Sequence, residues 1–122
     1  LGVFAAGRIV NPRTARSQFV GGMTMGLSMA LHEQSLLDPR WGHVINHDLA
    51  EYHITTCADV GDVQAHWIDE HDPRVNVLGA KGIGEIGIVG TAAAVVNAVY
   101  HATGVRVRDL PVSLDKLLAE LP

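Results

Sequence analysis

The sequence predicts an α+β fold, helices packed on a small mixed or antiparallel sheet. Three observations point there: two long segments with helical patterning, three short extended segments, and turn residues between them. Its 122 residues, 48% of them hydrophobic, fit one domain over residues 1–122 with enough apolar surface for a core.

Taken in order, Val3 to Val10 reads as a short strand and Asn11-Pro12 as the turn after it. From about Thr14 to Ser35, Val20, Met23, Leu27, Ala30 and Leu31 recur at helical spacing, and Gly22, Gly26 and Ala30 align a strip of small residues. That strip permits tight packing of another backbone or close approach of a ligand, and the three methionines read as core filler. Asp38-Pro39 ends the helical pattern. Trp41 to Val60 reads as irregular with short extended pieces.

Alternation then places Val63, Ala65 and Trp67 on one face of a half-buried strand. Thr91 to Thr103 has the content of a largely buried helix, with Gly104 at the position of a C-terminal cap. Val105 to Val107 reads as a last strand. Ser113 caps a short helix from Leu114 to Glu120 with Asp115 in its first turn.

Composition excludes several classes of function. Nine basic and thirteen acidic residues give a net charge of −4 with no basic run, so nucleic acid is not an expected partner. The most apolar stretch, Ile86 to Tyr100, is shorter than the ~20 residues that cross a bilayer, and no membrane span is expected. The single Cys57 makes no internal disulfide, is too few for an iron–sulfur cluster, and reads as a buried inert thiol. His43, His47 and His53, followed by Cys57, suggest a zinc site, but the His43/His47 spacing serves one only on a helix, which Gly42, Val44 and Ile45 disfavour, so no protein-ligated metal is expected. The compartment, cytoplasm or periplasm, stays open. The start at Leu1-Gly2-Val3, without methionine or signal pattern, reads as a piece cut from a longer chain.

One carboxylate stands out. Glu85 lies among Gly82, Gly84, Gly87 and Gly90, where glycine permits positive φ and close ligand approach. A carboxylate so placed suits a general base; the alternative is a strand-to-helix turn in which Glu85 complements the helix end. Lys81 suits either a phosphate or a carboxylate partner. The glycines do not follow the GxGxxG spacing of dinucleotide-binding loops.

Four motifs in order, Gly7-Arg8-Ile9-Val10-Asn11-Pro12, Ser17-Gln18-Phe19-Val20-Gly21-Gly22, Asp48-Leu49-Ala50-Glu51-Tyr52-His53-Ile54 and Lys81-Gly82-Ile83-Gly84-Glu85, closing with Arg108-Asp109-Leu110-Pro111, resemble one family. It is the molybdenum-cofactor-binding large subunit of the xanthine dehydrogenase and aldehyde oxidase class, and the resemblance is to its C-terminal segment.

The resemblance implies that Glu85 is the base beside molybdenum, that Gln18 contacts the cofactor, and that Gly21, Gly22, Lys81, Gly82 and Gly84 are cofactor neighbours. It implies a molybdopterin cofactor, as a dinucleotide, whose molybdenum is held through the pterin's dithiolene sulfurs. It also implies oxidation of an aldehyde or aza-aromatic heterocycle with oxygen from water. Ile86-Gly87, where many members have Pro-Pro, resembles the bacterial aldehyde-oxidising branch. The implied partners are the rest of the molybdenum subunit and iron–sulfur and flavin (FAD) subunits or domains. Alone, the segment is expected to be inactive and open to self-association. The rival readings are a non-redox anion- or nucleotide-binding module and a structural interaction fragment.

Overall fold

A computed structural model describes residues 1–118 and Leu121. The elements are β1 (Gly2–Ala5), α1 (Pro12–Leu31), β2 (Leu37–Asp38), β3 (His43–Val44), β4 (Ala65–Ile68), α2 (Ile86–Val89), α3 (Thr91–Thr103) and α4 (Leu114–Leu118). The architecture is α+β, as the sequence predicts, with its strands in two ribbons. β1 and β4 pair in parallel, Gly2 opposite Ala65 and Ala5 opposite Ile68, while β2 and β3 pair antiparallel.

The core lies where α1 crosses the β1–β4 ribbon. Phe19 is fully buried and stacks on Phe4, with ring centroids 4.4 Å apart and an interplanar angle of 6°. Trp67 tilts against it at 6.1 Å. Ala6, Ala15, Met23 and Ala65 close the cluster, so truncating Phe19 to Ala costs about 3–5 kcal/mol. The buried face of α1 runs Ala15, Phe19, Met23, Gly26, Ala30, turned from the expected stripe: Val20 and Leu27 are half-buried and Leu31 is exposed.

Helix α1 begins two residues before the expected Thr14. Asn11 has extended backbone, and its side-chain oxygen accepts from the N–H groups of Arg13 and Thr14 at 3.1 and 3.3 Å. Pro12 follows in the first turn, where its missing N–H costs nothing. The helix stops at Leu31, four residues short of Ser35, and the His32 and Glu33 amides both donate to the Ser28 carbonyl.

Five further expectations are corrected. β1 stops at Ala5 instead of Val10, because Gly7 turns with φ 64°. Val105 to Val107 forms no strand; Val105 and Val107 instead bury beside Val112 in a second small cluster. Helix α3 has the expected span and ends on Gly104 in the left-handed conformation, yet none of its residues is buried. Only one side of it meets α1. Cys57 is exposed, and of the methionines only Met23 is core, Met25 and Met29 being 60% and 43% exposed. Helix α4 is described to Leu118, and the expected end at Glu120 lies outside the described residues.

α2 and α3 follow one another across Gly90. The run Ile86–Thr103 has 18 residues with mean hydropathy 1.4, the length and composition of a spanning helix as well as of a packed one. The contact with α1 is built from small residues. A Cβ on Gly22 would lie 2.9 Å from the Gly87 Cα, and one on Gly26 would lie 2.5 Å from the Thr91 Cβ. Here the small-residue strip serves helix packing.

Candidate functional site

Where α1 and α2 meet, a cavity of about 410 Å³ opens between them. Ser17, Gln18, Gly21, Gly22 and Met25 line it from α1, all within one helical face; Gly84, Glu85 and Ile88 line it from the other side. Five of the seven residues picked from the sequence, Gln18, Gly21, Gly22, Gly84 and Glu85, thus share one wall-to-wall space.

Glu85 occupies the N-cap position of α2, and its side chain makes no capping hydrogen bond. The backbone carbonyl accepts from the Ile88 N–H at 3.1 Å, which turns the chain into the helix. The carboxylate is therefore exposed to the cavity with both oxygens free among the described residues. Its apolar sequence neighbours divide: Ile83 and Ile86 pack into the core around Phe19, and Ile88 stays as a cavity wall with Met25.

The glycines around Glu85 act differently from the positive-φ cage that the sequence suggests. Positive φ occurs at Gly7, Gly42, Gly79 and Gly104, not at Gly82, Gly84, Gly87 or Gly90. Gly87 is required by contact, since a Cβ there would lie 2.6 Å from the Phe19 carbonyl oxygen. Gly21, Gly82 and Gly84 have nothing within 4 Å of an added Cβ, leaving two open backbone patches, Gly21 and Gly84, on the cavity.

The structure does not bring Lys81 and Gly82 into this cavity. The Lys81 ammonium lies 2.9 Å from Glu70 Oε1 and 3.2 Å from Asp72 Oδ2, so of its two suggested partners it has carboxylates. These contacts raise the Lys81 pKa above its ordinary value, Glu70 contributing most. The Glu70 carboxyl is lowered by Lys81 first and by the Gly7 N–H second; Asp72 is lowered by the Arg74 N–H first and then by Lys81. Lys81 also borders a separate cavity of about 230 Å³ with Arg8, Asn11 and Thr14 at the start of α1.

The motif at residues 48–54 is a turn: Asp48 Oδ1 accepts from the Ala50 and Glu51 amides, and its carbonyl accepts from the Tyr52 N–H. The Tyr52 hydroxyl donates to Glu33 Oε2 at 3.0 Å, tying this turn to the end of α1. Buried Asn46 joins in, accepting from the Leu36 N–H and donating to the Gln34 carbonyl.

Sequence reasoning missed Ser17 and Met25 as lining residues and Glu70 as a partner of Lys81. Extending the helical face from Gln18 by −1, +3, +4 and +7 would have found the α1 residues. Nothing local signals Glu70, eleven positions before Lys81.

The donor set suits an organic, polar group better than a bare ion. Gln18 offers an amide that donates and accepts, Glu85 a carboxylate, Gly21 and Gly84 open backbone, and Met25 and Ile88 apolar walls. Among the described residues no group of three His, Cys, Asp or Glu is placed to share a metal ion. A cofactor that brings its metal on its own ligands fits this lining.

Residues 1–61 match the family model described as molybdopterin cofactor-binding domain. The chain is 52% identical over all 122 residues to the aldehyde oxidoreductase molybdenum-binding subunit PaoC of Escherichia coli strain K12, covering 17% of it. It is 37% identical over 120 residues to the xanthine dehydrogenase molybdenum-binding subunit of Escherichia coli O157:H7, covering 98% of this chain and 16% of that one. The crystal structure of the aldehyde oxidoreductase from Desulfovibrio desulfuricans ATCC 27774 matches 98% of this chain and 13% of its own with a TM-score of 0.84 at 28% identity. That of quinoline 2-oxidoreductase from Pseudomonas putida 86 matches 98% and 16% at the same TM-score and 27% identity. The chain thus spans about one sixth of the length of these curated relatives. With its matching family model, these relatives and a cavity suited to the group, the chain belongs to the molybdopterin cofactor-binding domain family.

Proposed function

We propose that this chain is the C-terminal part of the molybdopterin-binding domain of a molybdenum hydroxylase, with Glu85 as general base and Gln18 as cofactor contact. The observation that supports the reading is the shared cavity: Glu85, whose side chain makes no capping hydrogen bond, and Gln18 line the same space with the open backbone of Gly21 and Gly84.

When bound, the molybdenum cofactor, in dinucleotide form, supplies a two-electron oxidation that places oxygen from water on the substrate carbon. The Gln18 amide holds a polar edge of the cofactor, Gly21 and Gly84 admit it to the backbone, and Gly22, packed on Gly87, sets the spacing of the two walls. Glu85 accepts at a carboxylate oxygen the proton that the water-derived nucleophile must lose. Met25 and Ile88 keep water from part of that space. Lys81 and Gly82 act on the loop that carries Glu85, outside the cavity.

The substrate class is an aldehyde, with an aza-aromatic heterocycle second. The name of the 52% identical relative favours the aldehyde, as does the resemblance of Ile86-Gly87 to the bacterial aldehyde-oxidising branch. The rest of the molybdenum subunit completes the cavity, and iron–sulfur and flavin partners carry the electrons away. Half a cavity does not align base, cofactor and substrate, so the segment alone is inactive.

The test is a matured complex containing the full-length subunit, assayed for molybdenum, for pterin and for aldehyde oxidation in ¹⁸O-labelled water. Molybdenum and pterin in the complex, turnover proportional to molybdenum, and label in the carboxylate product are expected. A matured complex with neither molybdenum nor pterin overturns the reading and leaves a non-redox anion-binding module.

A further inference from the structure

We propose that Glu70, acting through Lys81, is a positioning residue that sets where Glu85 stands in the cavity. This rests on the reading of Glu85 as base, and deepens it.

Glu70 lies just past the end of β4, beside the chain leaving β1, and its two oxygens do separate work. Oε2 accepts from the Gly7 N–H at 3.0 Å; Oε1 accepts from the Lys81 ammonium at 2.9 Å. Asp72 holds the same ammonium at 3.2 Å. The Lys81 backbone is fastened too, its N–H donating to the Ala6 carbonyl at 3.3 Å, while the Arg8 N–H donates to the Gly79 carbonyl at 2.8 Å. Lys81 is thus pinned by side chain and backbone to the end of the β1–β4 ribbon.

Six residues on, Gly87 is wedged against the Phe19 carbonyl and the Gly22 Cα. Between these two anchors the glycines at 82 and 84 add no side-chain restraint of their own. Ile83 and Ile86 pack, partly buried, against the Phe19 core, whereas Gly82 and Gly84 have open space where a side chain would stand. Glu85 therefore sits between the ion-pair clamp on one side and the Ile86 and Gly87 contacts on the other, and its place is set by both. Loosening the clamp moves the carboxylate without removing it, and a misplacement of about 1 Å costs about 10²-fold in a well-aligned site.

The experiment uses the full-length subunit loaded with cofactor in its complex, with Glu70→Gln, Glu85→Gln and the double variant. Three quantities are read: kcat and KM, molybdenum content, and the deuterium uptake rate of a peptide covering residues 82–88. Glu70→Gln is expected to raise that uptake by at least about fivefold, the scale of one lost hydrogen bond, and to lower kcat about tenfold with KM within about twofold. Molybdenum content and the uptake of α1 stay at wild-type level. In the double variant kcat equals that of Glu85→Gln alone, because a misplaced base no longer matters once the base is gone.

Lys81→Met cuts the clamp from its other side and must reproduce the uptake and kcat pattern of Glu70→Gln. Unchanged uptake in both variants, or kcat losses that multiply in the double variant, overturns the proposal. Preserved turnover in Glu85→Gln overturns the base assignment and the positioning role with it. That result is told apart from failure of the clamp, since the uptake of residues 82–88 is measured independently of catalysis.

Discussion

Gly22 of α1 and Gly87 of α2 meet backbone to backbone: a Cβ on Gly22 would lie 2.9 Å from the Gly87 Cα, and one on Gly87 3.2 Å from the Gly22 Cα. That contact fixes the distance between the helix bearing Gln18 and the turn bearing Glu85. Gly87→Ala pushes a methyl to 2.6 Å from a carbonyl oxygen of the opposite helix, where no side chain can swing away. The expected cost is about 1–3 kcal/mol of stability in the full-length subunit, measured by denaturant unfolding. A change within error would show that the two helices are free to part.

Gly21 is the contrasting case. It sits mid-helix with nothing within 4 Å of an added Cβ, and it lines the cavity. Gly21→Ala is expected to stabilise the apo-subunit by about 0.5–1 kcal/mol through lower unfolded-chain entropy, and to reduce molybdenum content. Thermal unfolding and metal analysis check the two halves separately. Normal loading with a raised Tm would place the cofactor elsewhere.

Asn11 caps α1 through two backbone N–H groups. Asn11→Ala should destabilise by about 1 kcal/mol, while Asn11→Asp, which keeps the acceptor, should lose far less. Equal losses would assign the effect to something other than the cap.

The Lys81 clamp gives a pH dependence of known sign. Glu70 and Asp72 have folded pKa values below their ordinary 4.5 and 3.8, so their contribution is present above those values and lost as pH falls through the lower folded ones. Lys81 is raised above 10.5, so its contribution is present below 10.5 and lost as pH rises through the folded value. Deuterium uptake of residues 82–88, corrected for intrinsic exchange, should therefore be flat between about pH 5 and 9 and rise below about pH 4. A rise already at pH 6 would contradict the clamp.

Local patterning carried much of this fold to the reader. The span and cap of α3, the inward face of Val63, Ala65 and Trp67, and the small-residue strip of α1 all follow from side-chain periodicity and from glycine chemistry, which act within a few residues. Burial did not follow so well. The apolar α3 has no buried residue, because burial depends on what lies against a helix and not on its composition. Val105 and Val107 bury without forming a strand for the same reason. At the candidate site, the placing of Glu85 and Gln18 on one cavity was legible from their motifs, whereas Glu70 became visible only once β4 was laid beside β1 and the 79–81 segment was bridged to Gly7.

The central claim is that Glu85 is the base in a cavity shared with the molybdenum cofactor. The most direct test is Glu85→Gln in the full-length subunit within its complex, comparing molybdenum content and turnover with wild type. The account predicts molybdenum near the wild-type level and turnover lower by at least ~10²-fold, the low end for a lost general base. Near-normal turnover at normal molybdenum content would contradict it.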